Sequence, residues 1–342
     1  MPEHKNQHFV PQSYLRRFSP DTTRKRLYVY DKVLRRPLGL QGIKRLANKS
    51  FFYDIPLDAL KQGFNMDPHL EEKALGALES QFNEVIELGT RVADGVVANL
   101  EQRRTMALCI AVQLIRTLDY RQHIVEAMES LIEATMDSVL ELAKPELASN
   151  VRAQAKYDEQ AASLLHAELM WDPDFVCRIA AVLYYRLWVV GVNDTTIPLY
   201  TSDTPVVLQA HKQRENFIPD PNKGPSFSKA IDIVIESNRP SINDEGIELV
   251  FPLSPKCALI ILENEHFKYL EKNQGKRYSL QPTDVIRLNS LQVLESNRQI
   301  YSVSSDFGLA EKLCNDHPNT CLRNKDSVKV EKWRWAAANP FS

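Results

Sequence analysis

Ile247-Glu-Leu-Val-Phe-Pro252 and Cys257-Ala-Leu-Ile-Ile-Leu262 are the stretches on which the fold turns. Both read as β-strands, and they lie in a second half whose character changes after Gly191. Pro198–Leu208 reads as another strand, Pro282-Thr-Asp284 opens a helix to about Gln299, and Ile300-Tyr-Ser-Val303 returns as a strand. Between them Lys212–Asp244 is polar and rich in Pro, Asn and Lys, with one apolar run at Ile231–Ile235, and reads as a long insertion or flap. The chain after Lys325 reads as a loosely held tail.

Upstream the pattern is helical. Asp67-Pro68 is a cap followed by proline at the first helical position. Leu70, Ala74, Leu75, Leu78, Phe82, Val85 and Ile86 then form one apolar stripe. A second long helix is expected from about Glu101 to Leu142, stopped by Pro145, and a third over roughly Val151–Met170. Asp172-Pro173 caps a fourth, from about Asp174 to Trp188. Nearer the start, His8-Phe-Val-Pro11 is extended, because a residue before proline avoids the helical region. Ser13–Phe18 reads as one short helical turn, Leu27–Asp31 as a strand, Arg35–Gly42 as a turn and Phe51-Phe-Tyr53 as a second short strand.

These readings add up to an α+β fold: a central bundle of long helices packed on a mixed or antiparallel sheet built from the N-terminal and C-terminal parts. The expected layout is one composite domain over residues 1–325. It comprises a basic β segment (1–65), a helical bundle (66–190) and a strand-rich α+β part (191–325) carrying the 212–244 insertion, with a tail at 326–342.

With 342 residues, 44% of them hydrophobic, the chain can bury a substantial core without staples. Five cysteines, an odd number without disulfide spacing, suit a reducing cytoplasm. Met1–Gln7 is polar and charged, and the apolar stretches near 106–115 and 176–192 are interrupted by Gln113, Arg178 and Arg186, so neither a signal nor a membrane span is expected. Eleven glycines and no Walker or dinucleotide-binding pattern speak against a phosphate-loop or Rossmann cofactor. The net charge is −2, yet residues 1–50 carry twelve Lys/Arg against three acids, leaving thirty against forty-one in the remainder. Such asymmetry points to an anionic partner for the basic segment, or to its docking on the acidic remainder.

Several segments together resemble a bacterial family catalogued as domain of unknown function 4238. The signature is His8-x-x-Pro11-x-x-Tyr14-Leu15-Arg16-x-Phe18. Leu70-Glu71 with Leu78-Glu79 resembles its paired-acid helix, and Gln113-x-x-Arg116-Thr117 followed by Arg121 its glutamine–arginine helix. Thr201-Ser202-Asp203-x-Pro205-Val206 and Phe251-Pro252-Leu253-Ser254-Pro255 resemble its strand-end motifs. Asn289, Leu291-Gln292 and Ile300-Tyr301-Ser302 resemble its closing segment. Leu118 departs from the proline expected after the Arg-Thr pair. The resemblance implies a fold and a residue set rather than a reaction, with relatives in genomic settings linked to phage defence.

A histidine with a near-neutral pKa can act as general base, general acid or metal ligand, which makes His8 a candidate for each role. Its His-x-x-Pro spacing is similar to that of HNH-type nucleases, although Gln7 stands where those enzymes place an acid. The competing reading is that His8 hydrogen-bonds backbone and orders the N-terminus. Lys5, Arg16 and Arg17, interleaved with Phe9, Tyr14 and Phe18 and followed by Arg24-Lys-Arg26, suit nucleic acid, unless the rings are core and the charges a solvated face. Glu72 and Glu79 share a helix face and are candidate Mg²⁺ or Mn²⁺ ligands. Gln113, Arg116 and Tyr120 put polar groups on one face of a buried helix, where a guanidinium needs a carboxylate or an anionic ligand. Asp203, at a strand end, is the acidic candidate to pair with His8 or to hold metal. Ser202 lacks a nucleophile elbow, which speaks against a Ser-His-Asp hydrolase. Cys314, His317 and Cys321 lack zinc spacing.

The expectation is therefore a metal-dependent, nucleic-acid-directed phosphodiesterase with His8, Asp203 and Glu79 catalytic, Glu79 and Asp203 on the metal, and Gln113, Arg116, Arg16, Arg17 and Ser202 on the phosphate. The alternative is a non-catalytic ligand-binding, sensor or interaction module with a buried polar network. The acids Glu126, Glu129, Glu133, Asp137 and Glu141 suit a protein partner or a homo-oligomer surface, or a solvated face.

Overall fold

The structure is a computed structural model. It describes residues 6–50, 52, 76, 79–81, 83, 84, 86, 87, 100–144, 146, 151, 153–212, 235–237, 240–318 and 328–330. The chain divides into two compact units, one of Met1–Arg121, Ser163–Lys212 and Pro240–Asn324, the other of Gln122–Ala162, Gln213–Arg239 and Lys325–Ser342.

The larger unit is α+β. Its five-stranded sheet is ordered β11-β5-β10-β9-β7, from Arg277–Ser279, Leu187–Val192, Cys257–Leu262, Ile247–Ser254 and Val207–Ala210. β10 runs antiparallel to β5 and β9, and β11 parallel to β5, so the sheet is mixed. Successive side chains on a strand point to opposite faces. Leu249, Phe251, Leu259, Ile261, Trp188 and Val190 enter one core cluster, and Val250, Ala258, Ile260, Leu262, Leu187 and Val189 enter another with Val285 and Leu288. Burial on both faces is why Cys257–Leu262 reads as an unbroken apolar run rather than an alternating one. The same double burial recruits Leu187–Val192 into the sheet, so the helix expected to reach Trp188 stops at Tyr185.

A four-stranded sheet is ordered β3-β2-β12-β6, from Arg36–Gly42, Arg26–Asp31, Gln299–Ser302 and Thr201–Ser202. It joins the N-terminal and C-terminal parts, as expected. Arg36–Gly42 is an edge strand rather than a turn, because it pairs with β2 from Arg26↔Gly42 to Asp31↔Arg36. Pro37 and Gly39 are tolerated on an edge. A two-stranded ribbon pairs β1 (Asn6–His8) with β4 (Asn48–Ser50), and α1 (Gln12–Leu15) follows β1. The second N-terminal strand thus lies just before its expected place. Phe52 sits in a bend, while Phe51 and Tyr53 lie outside the described residues.

The single helix expected from Glu101 to Leu142 is two, α2 (Leu100–Ile115) and α3 (Leu118–Ala143). Thr117 makes the break: its hydroxyl oxygen accepts from the Tyr120 N–H at 3.1 Å, a side-chain cap that starts a new helix. Asp172 caps α5 (Pro173–Tyr185) in the same way, accepting from the N–H groups of Asp174 and Phe175. α2 packs against α5. α6 (Pro282–Glu295) and α7 (Gly308–Asp316) complete this unit. The helix start at Asp67-Pro68 and most of its stripe lie outside the described residues, but Ile86 is helical and fully buried.

In the smaller unit the helix expected from Val151 begins only at Glu159, as α4 (Glu159–Trp171, whose last part belongs to the larger unit). The N–H groups of Ala153, Ala155 and Tyr157 instead donate to the carboxylates of Asp137, Glu133 and Glu129 at 2.9, 2.9 and 3.0 Å. Two residues of extended chain advance roughly 6.6 Å, and four residues of helix roughly 6.0 Å. A row of acids at four-residue spacing therefore meets every second N–H of a strand-like segment. β8 (Ile235–Ser237) pairs with β13 (Val328–Val330) in this unit, inside the stretches read as insertion and tail; residues 213–234 lie outside the description. Among the described residues no helix is long and apolar enough to cross a membrane.

Candidate functional site

Tyr14 ties the N-terminal motif to the two strand-end motifs. Its ring is buried, stacked on Phe251 at 5.2 Å and tilted against Phe18 at 5.5 Å. Its hydroxyl donates to the Pro252 carbonyl at 2.6 Å and lies 2.7 Å from Thr201 Oγ1. The closing segment is tied in through α6: Asn289 accepts from the Tyr200 N–H and donates to the Pro198 carbonyl, and Gln292 donates to the Pro205 carbonyl.

Of the residues singled out from sequence, His8, Glu79, Gln113 and Arg116 meet. Gln113 and Arg116, three residues apart near the end of α2, reach across to successive carbonyls of the N-terminal segment. Gln113 donates to Phe9 O at 3.1 Å and Arg116 to His8 O at 2.6 Å. Arg116, 3% exposed, also pairs with Glu79 at 3.1 Å. The half-buried His8 imidazole has Nδ1 3.1 Å from Leu46 O, so Nδ1 carries the proton, and Nε2 accepts from Gln12 Nε2 at 2.8 Å. Burial lowers the pKa of His8, with the Leu46 carbonyl and Glu79 opposing and Arg116 adding to the shift. The ring is thus a neutral base whose lone pair is already engaged.

Tyr120 and Arg121 lie beyond the helix break and form a different cluster. Arg121 Nε donates to His166 Nδ1 at 3.1 Å, and its guanidinium lies 3.9 Å from the Phe52 ring centroid while bonding Phe52 O. His166 Nε2 then donates to Ile115 O at 2.6 Å, and the Tyr120 ring lies 6.0 Å away. Burial pushes the His166 pKa down to about 4. Sequence reading missed this histidine; its one signal was a polar ring set directly between Leu164-Leu165 and Ala167.

Asp203 does not join His8. Its carboxylate accepts from the N–H groups of Asn297, Arg298 and Gln299 at 2.8–2.9 Å, fixing the turn into β12. Burial pushes this carboxyl up to about 6 against those donors and the charge of Lys32. Ser202 is fully buried, 2.8 Å from Gln292 Oε1 and 2.9 Å from the Thr204 carbonyl, which suits a turn and not a phosphate contact. Glu79 and Asp203 share no partner among the described residues. Among the described residues no group of three or more His, Cys, Asp or Glu side chains stands ready for a metal ion. Glu71, Glu72 and Cys321 lie outside the described residues.

Arg16 and Arg17 stand elsewhere on the same wall, at an open cleft of about 410 Å³ lined by Ser13, Arg16, Arg17, Thr23, Arg24, Lys25, Asn83 and Glu87. The 19–25 loop is prefolded around Asp21, whose carboxylate accepts from Thr23 and Ser19 hydroxyls at 2.8 and 3.3 Å. Arg24 is held at φ +51°, a left-handed conformation that costs a non-glycine residue about 1–2 kcal/mol. Strain of this kind concentrates where a loop presents groups to a ligand. Arg17 donates to Asn83 O at 3.2 Å, closing one side. Among the described residues Arg16, Arg24 and Lys25 have no ion pair, and the buried Ser13 hydroxyl has no hydrogen-bond partner. The density of cations was visible in the sequence; the facing Asn83 and Glu87 were not, although they follow Glu79 at four-residue spacing on one helix face.

No curated protein and no solved structure matches the chain. A family model described as protein of unknown function (DUF4238) matches residues 6–306, which takes in every motif from His8 to Ser302. The chain belongs to that family.

Proposed function

We propose that the protein binds a phosphate-bearing ligand of the nucleic-acid class in the basic cleft. The observation that carries this reading is the presence in one cleft lining of three cations without an ion pair among the described residues, Arg16, Arg24 and Lys25, and of Ser13, whose buried hydroxyl has no hydrogen-bond partner among them. A buried polar atom without a partner marks a place where an absent group completes the bonding. The test is fluorescence anisotropy with labelled single-stranded RNA and DNA oligonucleotides and with competing inorganic phosphate. The R16A/R24A/K25A variant should bind at least tenfold more weakly with an unchanged melting temperature, since these side chains are exposed. Equal binding by the variant and the native protein would overturn the reading.

A hydrolytic version has one observation in its favour. Gln12 and Glu79, the partners of the His8 network, precede Arg16 and Asn83 by four residues each on the two walls, about 6 Å along a helix. For His8 to take a proton from water, Gln12 must release Nε2. Incubation with RNA or DNA, with and without Mg²⁺ or Mn²⁺, tests it. Cleavage that survives His8→Gln would rule this histidine out as the base.

A further inference from the structure

A second group of polar side chains, sharing no residue with the basic cleft, is assembled within the larger unit around Glu248 of β9. This carboxylate is buried and accepts two hydrogen bonds from the Arg287 guanidinium of α6, at 2.7 and 2.8 Å. Arg287 also donates to Gln209 at 3.0 Å, and so supplies the charged partner that a buried carboxylate requires. The same carboxylate lies 2.7 Å from His211 Nε2, just beyond β7. A carboxylate only accepts, so Nε2 carries the proton and the neutral ring presents its lone pair at Nδ1. A carboxylate behind an imidazole fixes its tautomer and raises its basicity, the arrangement that supports histidine ligands of metal ions. A second imidazole stands beside the first. The ring centroids of His211 and His266 are 6.2 Å apart, with the planes 36° from parallel. Both rings meet the buried Phe267 ring edge-on, at 5.2 and 4.7 Å. The His266 backbone is fixed, its N–H donating to Glu263 Oε2 at 2.8 Å. Gly246 is held at φ +70°, and a Cβ there would stand 3.3 Å from His266 Cγ, so glycine leaves that flank of the ring open.

We propose that His211 and His266 together bind one divalent metal ion of the imidazole-seeking class, zinc above all, with Glu248 orienting His211 from behind and water completing the coordination. With nitrogen–metal bonds of about 2.0–2.1 Å, two imidazoles on one ion hold their ring centroids roughly 5 Å apart at a tetrahedral angle and roughly 6.5 Å apart at a linear one. The observed 6.2 Å lies inside that range. His211 is 32% exposed, and a swing of about 1 Å in its ring reaches the tetrahedral end. Imidazole nitrogen suits zinc, copper and nickel, whereas magnesium prefers oxygen ligands. The site has two protein ligands, which leaves open positions on the ion. It is independent of the phosphate-binding reading and stands or falls without it.

Isothermal titration of the full chain with zinc chloride and with magnesium chloride tests it on the native protein and on His211→Ala, His266→Ala and Glu248→Gln. The native protein should bind zinc and not magnesium. Each histidine variant should bind zinc at least tenfold more weakly, because removing either ring leaves a single protein ligand. Glu248→Gln should lose about tenfold, the low end of what removing an outer-shell partner of a histidine ligand costs. Glu248 is buried, so a melting curve establishes that its variant is folded; the two histidines are not buried, and their variants carry the test on their own. Zinc binding untouched in both histidine variants, a loss in one of them without the other, magnesium bound as tightly as zinc, or no zinc binding by the native protein would overturn the proposal. Unchanged affinity in a folded Glu248→Gln would overturn the orienting role of the carboxylate.

Discussion

His166 shows how one buried ring makes stability depend on pH. Arg121 donates to Nδ1 and Nε2–H donates to Ile115 O, so the folded chain holds the neutral imidazole, with a pKa near 4 against 6.5 when exposed. Between those values the unfolded chain binds more protons, so stability rises with pH. The contribution is complete above pH 6.5, is lost as pH falls toward 4, and amounts to about 3 kcal/mol. Urea unfolding at pH 7 and pH 4 should show native protein losing about that much more than His166→Phe; parallel losses would refute the assignment. Tyr14 is the second residue whose role is local. Tyr14→Phe keeps the stacked ring but leaves the Pro252 carbonyl without its donor, and should cost about 1–3 kcal/mol in urea unfolding.

At the scale of elements, the polar face of α2 works as a clamp on an extended segment. Gln113 and Arg116 donate to the Phe9 and His8 carbonyls, and Glu79 neutralises the guanidinium. Arg116→Ala should destabilise by about 2–3 kcal/mol, below the full cost of breaking a buried pair because Glu79 is 29% exposed and can hydrate. Glu79→Gln should cost about 1 kcal/mol or less. Limited proteolysis should cut residues 6–18 fastest in Arg116→Ala; the opposite order would show that the carboxylate carries the clamp. The acids of α3 make the same point. A row that suits a partner or a solvated face is engaged, at Glu129, Glu133 and Asp137, by the chain's own backbone, because helix and strand repeats match there.

Over the whole molecule the charge asymmetry has two destinations. Some N-terminal cations are absorbed by the fold: Lys32 is fully buried and donates to the Leu294 and Ser296 carbonyls. Others remain at the cleft, and they set a salt dependence. If Arg16, Arg24 and Lys25 neutralise three phosphates of a single strand, the logarithm of the binding constant should fall with the logarithm of salt with a slope of roughly −2. The triple variant should flatten it toward zero. A slope unchanged by the variant would place the strand on another surface.

Composition and periodicity determined the α+β class, the strand pair Ile247–Pro252 and Cys257–Leu262, the Asp172 cap, and the concentration of cations before residue 50, because each depends on short-range pattern alone. Pattern also brought His8, Glu79, Gln113 and Arg116 onto one list, since buried polar groups on a helix face demand partners. Which partners they take was decided by tertiary contact. Asp203 looked equivalent to Glu79 in sequence, yet three backbone N–H groups almost a hundred residues away claim its carboxylate. The seating of Asn83 and Glu87 in one cleft with Arg24 likewise rests on groups distant in the chain, whereas the break at Thr117 and the edge strand Arg36–Gly42 rest on near neighbours, a side-chain cap and a hairpin partner, that apolar periodicity does not encode.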